Sequence, residues 1–314
     1  MTTRSADATS WSAERRALAA KLVGDCRPDL GQAVLITGSV ARGVADQYSD
    51  LEMRFLVETL APISVYQEWL RSASGMVELE ENAEHVGGTR TKSWHGGIFV
   101  ESLWLPWSVL DATLGAVIRA ETTNHWKLSE AWHIANALPL REHGRLTIWQ
   151  ERLQDYPDAL RDRLVTQTVA TWSAPAWWPT SVVSVWPLVA RDARLALADR
   201  LTGYLERGLR ILFALNRRWE PDYKWLASEA PRLTIKPGEL VSRVNSALTF
   251  EHPREAVRTC LALLIDILTL ASEEYDVSAA RERIKEALDE NHLPPPRGLD
   301  AGMPQSMRPQ GNGG

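Results

Sequence analysis

Residues 34–57 read VLITGSVARGVADQYSDLEMRFLV. An apolar run ends in a Gly-Ser turn, a short segment follows, and a second apolar run carries two acids, Asp50 and Glu52. The runs predict two strands, and the turn between them can offer backbone N–H groups and the Ser39 hydroxyl to a phosphate. Strand side chains alternate faces, so Asp50 and Glu52 point the same way. Two carboxylates on one face beside such a turn suit a hard divalent cation such as Mg²⁺ gripping a nucleoside triphosphate.

Gly38 and Ser39, then Gly43, followed by Ser49, Asp50 and Glu52, resemble the signature of the polymerase-β-like nucleotidyltransferase superfamily. The stretch Tyr48-Ser49-Asp50-Leu51-Glu52-Met53 is especially similar to the kanamycin nucleotidyltransferase type, which also has Asp-x-Glu where most of the superfamily has Asp-x-Asp. The motifs cover about the N-terminal third of the chain. The resemblance implies two Mg²⁺ ions, an NTP co-substrate and transfer of a nucleotidyl group. Gly38, Ser39 and Gly43 would hold the β- and γ-phosphates, with Arg42 assisting.

It also implies a third carboxylate on a neighbouring strand. Glu101 interrupts the apolar run 97–105 at its middle. A lone acid there needs a partner, because burying a bare charge is costly. A metal shared with Asp50 and Glu52 would supply one. The alternative is a solvent-facing acid at a sheet edge.

Composition narrows the function classes. The chain has 314 residues and a formal net charge of −5, which argues against general nucleic-acid binding. Its two cysteines, Cys26 and Cys260, are isolated, which predicts neither a disulfide framework nor a CxxC zinc site and fits a cytoplasmic location. The seven histidines lack metal-ligand spacing, and His125, His133 and His143 read as surface or capping residues. The polar N-terminus has no secretory apolar segment. The apolar run 260–271 is too short to span a bilayer, contains Asp266 and reads as a core helix.

The expected fold is α+β: an N-terminal nucleotidyltransferase α/β domain with a mixed sheet over 1–120, then a C-terminal helical bundle over 121–292. The Pro- and Gly-rich tail, 293–314, is expected to be disordered. In the first domain the patterns predict a helix at 12–23 capped by Ser10 or Ser12, strands at 33–37 and 51–57, a helix at 62–72, strands at 76–81 and 97–105, and a helix at 109–119. Beyond 122, helices are expected at 160–171, 182–216, 255–274 and 276–290.

The helical domain should complete the site. Kanamycin-type enzymes carry a general base on a helix with a phosphate-contacting lysine one turn later. Glu206 and Arg210 have that spacing, with Arg in place of Lys. Asp199 is the alternate base, two turns earlier on nearly the same face, and Asp192 a third. The competing reading is a Glu–Arg surface pair contributing a few tenths of a kcal/mol, on the order of 0.3. Residues 215–226 resemble an Asn-Arg-Arg…Lys-Trp stretch of small-substrate nucleotidyltransferases, with Lys224 a phosphate-neutralising charge and Arg217 a helix-end residue. Of the 14 tryptophans, Trp172, Trp177, Trp178 and Trp186 cluster, and read as packing ahead of a ligand-stacking cleft. The acids Glu78, Glu80, Glu81 and Glu84 could attract a cationic acceptor or form a solvated face.

The acceptor expected is a small-molecule hydroxyl, either an aminoglycoside-like antibiotic, in resistance, or an intermediate of antibiotic or other natural-product biosynthesis. No membrane partner is expected, and a homodimer is implied only by the resemblance. The alternatives are nucleotidylation of a protein or RNA, of toxin–antitoxin type, and a non-catalytic nucleotide-binding protein.

Overall fold

The computed structural model describes residues 8–73, 75–83, 87–174 and 182–289. The chain divides into two compact units, Met1–Pro157 and Asp158–Gly314. The class is α+β, as the strand and helix patterns predicted. Trp177, Trp178, Glu84 and the tail from Pro294 lie outside the described residues.

In the first unit the elements run α1 (Ser10–Asp25), β1 (Ala33–Ile36), α2 (Gly38–Arg42), β2 (Leu51–Val57), α3 (Ile63–Ser72), β3 (Met76–Ala83), β4 (Gly88–His95), β5 (Ile98–Pro106), α4 (Trp107–Ile118), α5 (His125–Ala135), β6 (Leu138–Arg141) and α6 (Gly144–Arg152). Six strands form one mixed sheet in the order β3-β4-β5-β2-β1-β6. Only the β2–β5 pairing is parallel among those of the sheet. A parallel pair needs a crossover, and α3 with the β3–β4 hairpin provides it.

The sheet has two unlike faces. Leu51, Met53, Phe55 and Val57 of β2 join Val100 and Trp104 of β5 in one core cluster with residues of α1 and α3. There Trp104 stacks between Phe55 and Tyr66, at ring distances of 4.8 and 4.2 Å, and donates its N–H to the Leu30 carbonyl at 3.0 Å. Burying an aromatic side chain of this kind stabilises the fold by about 2–3 kcal/mol. Period-two alternation turns Glu52 and Arg54 of β2, and Glu101 of β5, to the other face, where all three are half-buried.

The first unit runs some way past residue 120, the boundary expected from the sequence. Strand β6, a four-residue segment containing Pro139, pairs antiparallel with β1. Its last residue, Arg141, donates to the carbonyls of Val23 at 3.0 Å and Cys26 at 2.7 Å, tying the end of α1 to the sheet edge. On α6, Arg145 pairs with Glu58 at 2.8 Å and with Asp111, and Trp149 donates to Asp111 at 2.7 Å. These long-range ties make 121–157 part of the α/β unit.

The second unit is helical: α7 (Asp158–Trp172), α8 (Val185–Ala190), α9 (Arg194–Leu215), α10 (Leu226–Glu229), α11 (Leu240–Ala247), α12 (Pro253–Ala271) and α13 (Ser278–Leu288). The single helix expected over 182–216 is broken. Asp192 takes a left-handed backbone, φ 49°, which an α-helix cannot continue through, and α9 restarts at Arg194. Helix α12 is the core helix that its apolar run predicted, with Cys260, Leu261, Leu264, Ile267 and Leu268 buried. It lies close against α9 at Gly208, where an added Cβ would stand 3.0 Å from Ile267 and Leu264 side-chain atoms. Trp172 and Trp186 are buried, as expected for packing residues.

Both cysteines are buried and free. Burial pushes the Cys26 thiol up to about 11 and that of Cys260 to about 12, which leaves them unreactive near neutral pH. Among the described residues, no helix is long and apolar enough to cross a membrane.

Candidate active site

The turn after β1 is built as its sequence suggested. Thr37 is still extended, Gly38 adopts φ 66°, and a five-residue helix follows until Gly43 closes it at φ 77°. The Gly43 N–H reaches the carbonyl of Val40 at 3.2 Å, and the Val44 N–H that of Ser39 at 3.0 Å. Gly38 has a second reason to be glycine. An added Cβ would stand 2.7 Å from Oε2 of Glu52, so the turn lies directly against that carboxylate. The Thr37 hydroxyl donates to the same oxygen at 3.2 Å. Ser39 is buried, and the Arg42 guanidinium lies over the Trp132 ring at 5.5 Å.

The strand register brings the acids together. Glu52 and Glu101 are direct Cα partners in the parallel β2–β5 pair. Asp50 immediately precedes β2, two residues from Glu52. Lys92 of β4 is the direct partner of Glu101 on its other side. Arg90, two residues earlier on β4, reaches Glu101 with Nε to Oε1 at 3.3 Å. The positive charge that Glu101 needs is thus supplied by the chain itself, where the sequence led us to expect a metal. Among the described residues, no group of three or more His, Cys, Asp and Glu side chains is placed to hold a metal ion. The row continues with Arg54, whose Nη2 meets Oε2 of Glu130 on α5 at 3.1 Å, both side chains largely buried.

The segment that carries Asp50 is laced to α1, which sequence reasoning missed. Thr9, not Ser10 or Ser12, caps the helix by accepting from the Ser12 N–H at 3.1 Å. The Thr9 hydroxyl also donates to the Ala45 carbonyl at 2.7 Å, and the Ser12 hydroxyl accepts from the Ala45 N–H at 3.0 Å. Arg15 donates to the Ser49 carbonyl at 2.7 Å. Arg16 donates to the Val40 and Ala41 carbonyls, both at 3.0 Å, where the short helix α2 ends with unsatisfied acceptors. The visible signal was the Arg15-Arg16 pair on a helix with few other charges to match it.

In the second unit, Glu206 and Asp199 are both exposed on α9. Arg210 does not face Glu206 as a simple one-turn pair. Its Nε donates to Oε2 of Glu220 at 2.9 Å, and Glu220 is buried. The Tyr223 hydroxyl donates to Glu220 as well and lies 3.0 Å from the Glu206 carbonyl. Burial, then the neighbouring Glu220 carboxylate, hold the Tyr223 phenol well above the usual tyrosine range. Lys224 is exposed, 3.5 Å from Asp222, with its ammonium 5.7 Å from the Trp225 ring. Arg217 pairs with Asp158 at 2.9 Å, in keeping with a structural role. Asn216 ends α9 and ties it to the following loop, accepting from the Thr234 and Ile235 N–H groups at 2.8 and 2.9 Å. Asp192 is engaged by Arg194 at 2.8 Å.

Residues 123–226 match a family described as a domain of unknown function (DUF4037). That stretch contains Asp199, Glu206, Arg210 and Lys224 but none of the three carboxylates on the sheet. None of the curated proteins matches the chain. Among solved structures, the chain is similar to a nucleotidyltransferase-like protein from Exiguobacterium sibiricum 255-15, with 11% identity, 88% of this chain and 78% of that chain covered, and a TM-score of 0.36.

Proposed function

We propose that this protein is a nucleotidyltransferase that moves an NMP group from an NTP to a hydroxyl of a small molecule and releases pyrophosphate. The observation that carries this reading is the contact of the Gly38 turn with Glu52, in register with Glu101. A turn suited to phosphate abuts acids suited to the cation a triphosphate brings. In the reaction, the acceptor oxygen bonds to the α-phosphorus as the bond to the bridging oxygen breaks, and pyrophosphate leaves with that electron pair. The hydroxyl proton passes to a carboxylate, Glu206 first and Asp199 as the alternative.

The chain's own residues set up this step. Gly38, Ser39 and Gly43 bind the phosphates through the turn, Arg42 and Lys224 add positive charge, and α1 holds the segment so that Asp50 stays beside Glu52. Arg210, committed to Glu220, stiffens α9 near Glu206 ahead of any phosphate contact. The hard carboxylate oxygens of Asp50 and Glu52 fit Mg²⁺ in kind, and Glu101 joins them only by leaving Arg90. Magnesium bound there, one ion or the two that the motif resemblance implies, would offset the triphosphate charge and acidify the acceptor hydroxyl. The acceptor is an aminoglycoside-like antibiotic or a natural-product intermediate.

One observation favours a second reading, nucleotide binding without catalysis: Arg90 already neutralises Glu101. Pyrophosphate release, measured with each NTP across a panel of hydroxyl acceptors with and without Mg²⁺, separates the two. Transfer predicts release that needs acceptor and metal together. Nucleotide binding by calorimetry with no release under any acceptor supports the second.

A further inference from the structure

Glu101 stands between two unlike neighbours. On one side β2 sets Glu52 in register with it, and on the other β4 sets Lys92 in register with it. Direct partners share a face, so acid, acid and cation form one rung across β2, β5 and β4. Arg90 lies on the same face as Lys92, two residues away, and its Nε reaches Oε1 of Glu101 at 3.3 Å. The register partner of Arg90 on β5 is Leu103, so this is a diagonal reach from the next rung. That next rung also holds Arg54, which meets Glu130 of α5 at 3.1 Å in a pair without net charge. Two cations therefore flank Glu101 on its β4 side.

This arrangement bears on how many divalent ions the site takes. The motif resemblance implies two, the second shared with Glu101. A cation that reaches Glu101 has to displace the Arg90 guanidinium and settle against Lys92, and like charges that close repel. Glu52 has a different setting on its other side. There stand the Gly38 turn, where an added Cβ would lie 2.7 Å from Oε2, and the Thr37 hydroxyl, both neutral. A divalent ion held by Asp50 and Glu52 meets no resident cation from that turn. Arg90 and Lys92 together already carry the two positive charges that a second magnesium ion would bring. A guanidinium stays charged at every working pH and has five donors, enough to hold Glu101 and a phosphate oxygen together.

We propose that Arg90 stays on Glu101 when nucleotide binds and stands in for a second metal, so that the site takes one divalent ion, held by Asp50 and Glu52. This rests on the transfer reading above and assigns the charge balance of its site. The test counts Mn²⁺, used in place of Mg²⁺, by electron paramagnetic resonance on the full chain. The nucleotide is whichever α,β-methylene NTP analogue calorimetry shows to bind. The wild-type chain should hold one Mn²⁺ per bound nucleotide. Arg90→Gln, which removes the guanidinium charge and releases Glu101, should raise the count to two, with Arg90→Met as a second substitution should that variant not fold. Arg90→Lys, which keeps the charge, should hold the count at one. Adding Glu101→Gln to Arg90→Gln should bring it back to one. Two Mn²⁺ in the wild-type complex overturn the proposal. So does a count of one in the folded charge-removing variant, because a merely structural ion pair leaves the count unmoved. The two readings fail separately. The expected counts without pyrophosphate release from any NTP and acceptor overturn the transfer reading alone, and release by a wild-type chain that holds two Mn²⁺ overturns the one-ion site alone. No analogue binding at all overturns both.

Discussion

Two regions of this molecule pair arginine with glutamate, and they do so to opposite ends. On α9, Arg210 meets Glu220 in a closed arrangement that Tyr223 completes, with Glu220 buried. On the sheet, Arg90 meets Glu101 on a half-open face, at 3.3 Å, with Glu52 in register beside it and Lys92 opposite. The arginines are alike, their side chains 22% and 21% exposed, and the glutamates differ, 4% at Glu220 against 30% at Glu101. Glu101 therefore keeps a part of its carboxylate within reach of solvent, with Glu52 and Lys92 as its strand neighbours, whereas Glu220 does not. Burial, more than the identity of the paired residues, separates a structural ion pair from one placed for chemistry.

The sharpest way to break this contrast is to remove the acids of the open site. Asp50→Asn or Glu52→Gln should lower pyrophosphate release by roughly a thousandfold, about 4 kcal/mol of transition-state stabilisation, with the melting temperature nearly unchanged. Retained turnover in both variants would remove the sheet site from the mechanism. The closed pair should respond in the reverse sense. Glu220→Ala leaves the Arg210 charge largely enclosed without its partner and should destabilise the second unit by about 3 kcal/mol, read as a lower midpoint in urea unfolding. A loss below about 1 kcal/mol would show that the pair is solvated in the way of the sheet pair.

Between these lies Glu206, exposed on the same helix as Arg210. Glu206→Gln should reduce the maximal rate about a hundredfold and leave unfolding within about 0.5 kcal/mol of wild type. If Asp199→Asn is the slow variant, the base sits two turns earlier. The smallest effect is expected at His95, buried on the opposite face of the sheet and 3.0 Å from the Ser93 hydroxyl. Burial holds its pKa below the ordinary histidine value of 6.5. The folded state therefore binds fewer protons there than the unfolded chain. This contribution to stability is present above pH 6.5 and is lost as pH falls through the lowered folded value. The unfolding midpoint should drop on acidification below pH 6.5, and His95→Asn should make that part of the profile shallower.

Features set by backbone geometry over a few residues were legible in the sequence. The alternation that turns Glu52 away from the core face, the glycines that bracket α2, and the apolar run of α12 needed no partner from elsewhere to be read. Contacts arranged by long-range pairing were not. Strand β6 is a four-residue piece that means nothing until β1 is beside it, so the first unit was cut short. Arg90 was unremarked because only the β4–β5 register brings it to Glu101. Arg210 was paired by helical spacing with Glu206, whereas a turn after α9 delivers Glu220 to it from ten residues away. The break before α9 rests on one left-handed residue, Asp192, in a stretch whose helical periodicity continues on both sides.

The lacing of α1 to the segment before β2 has an evolutionary consequence. Arg15, Arg16 and the Thr9 hydroxyl all donate to main-chain carbonyls, those of Ser49, Val40, Ala41 and Ala45. Every residue type carries that acceptor, so these ties make no demand on the loop's side chains; Asp46 and Ser49 add ties of their own, Asp46 accepting from the Tyr48 N–H at 3.0 Å and the Ser49 hydroxyl at 2.9 Å. Residues such as Tyr48, 87% exposed and two positions from Asp50, are thereby left open to substitution at little structural cost. A lineage could exchange them to suit new ligands while the acids downstream stay where they are.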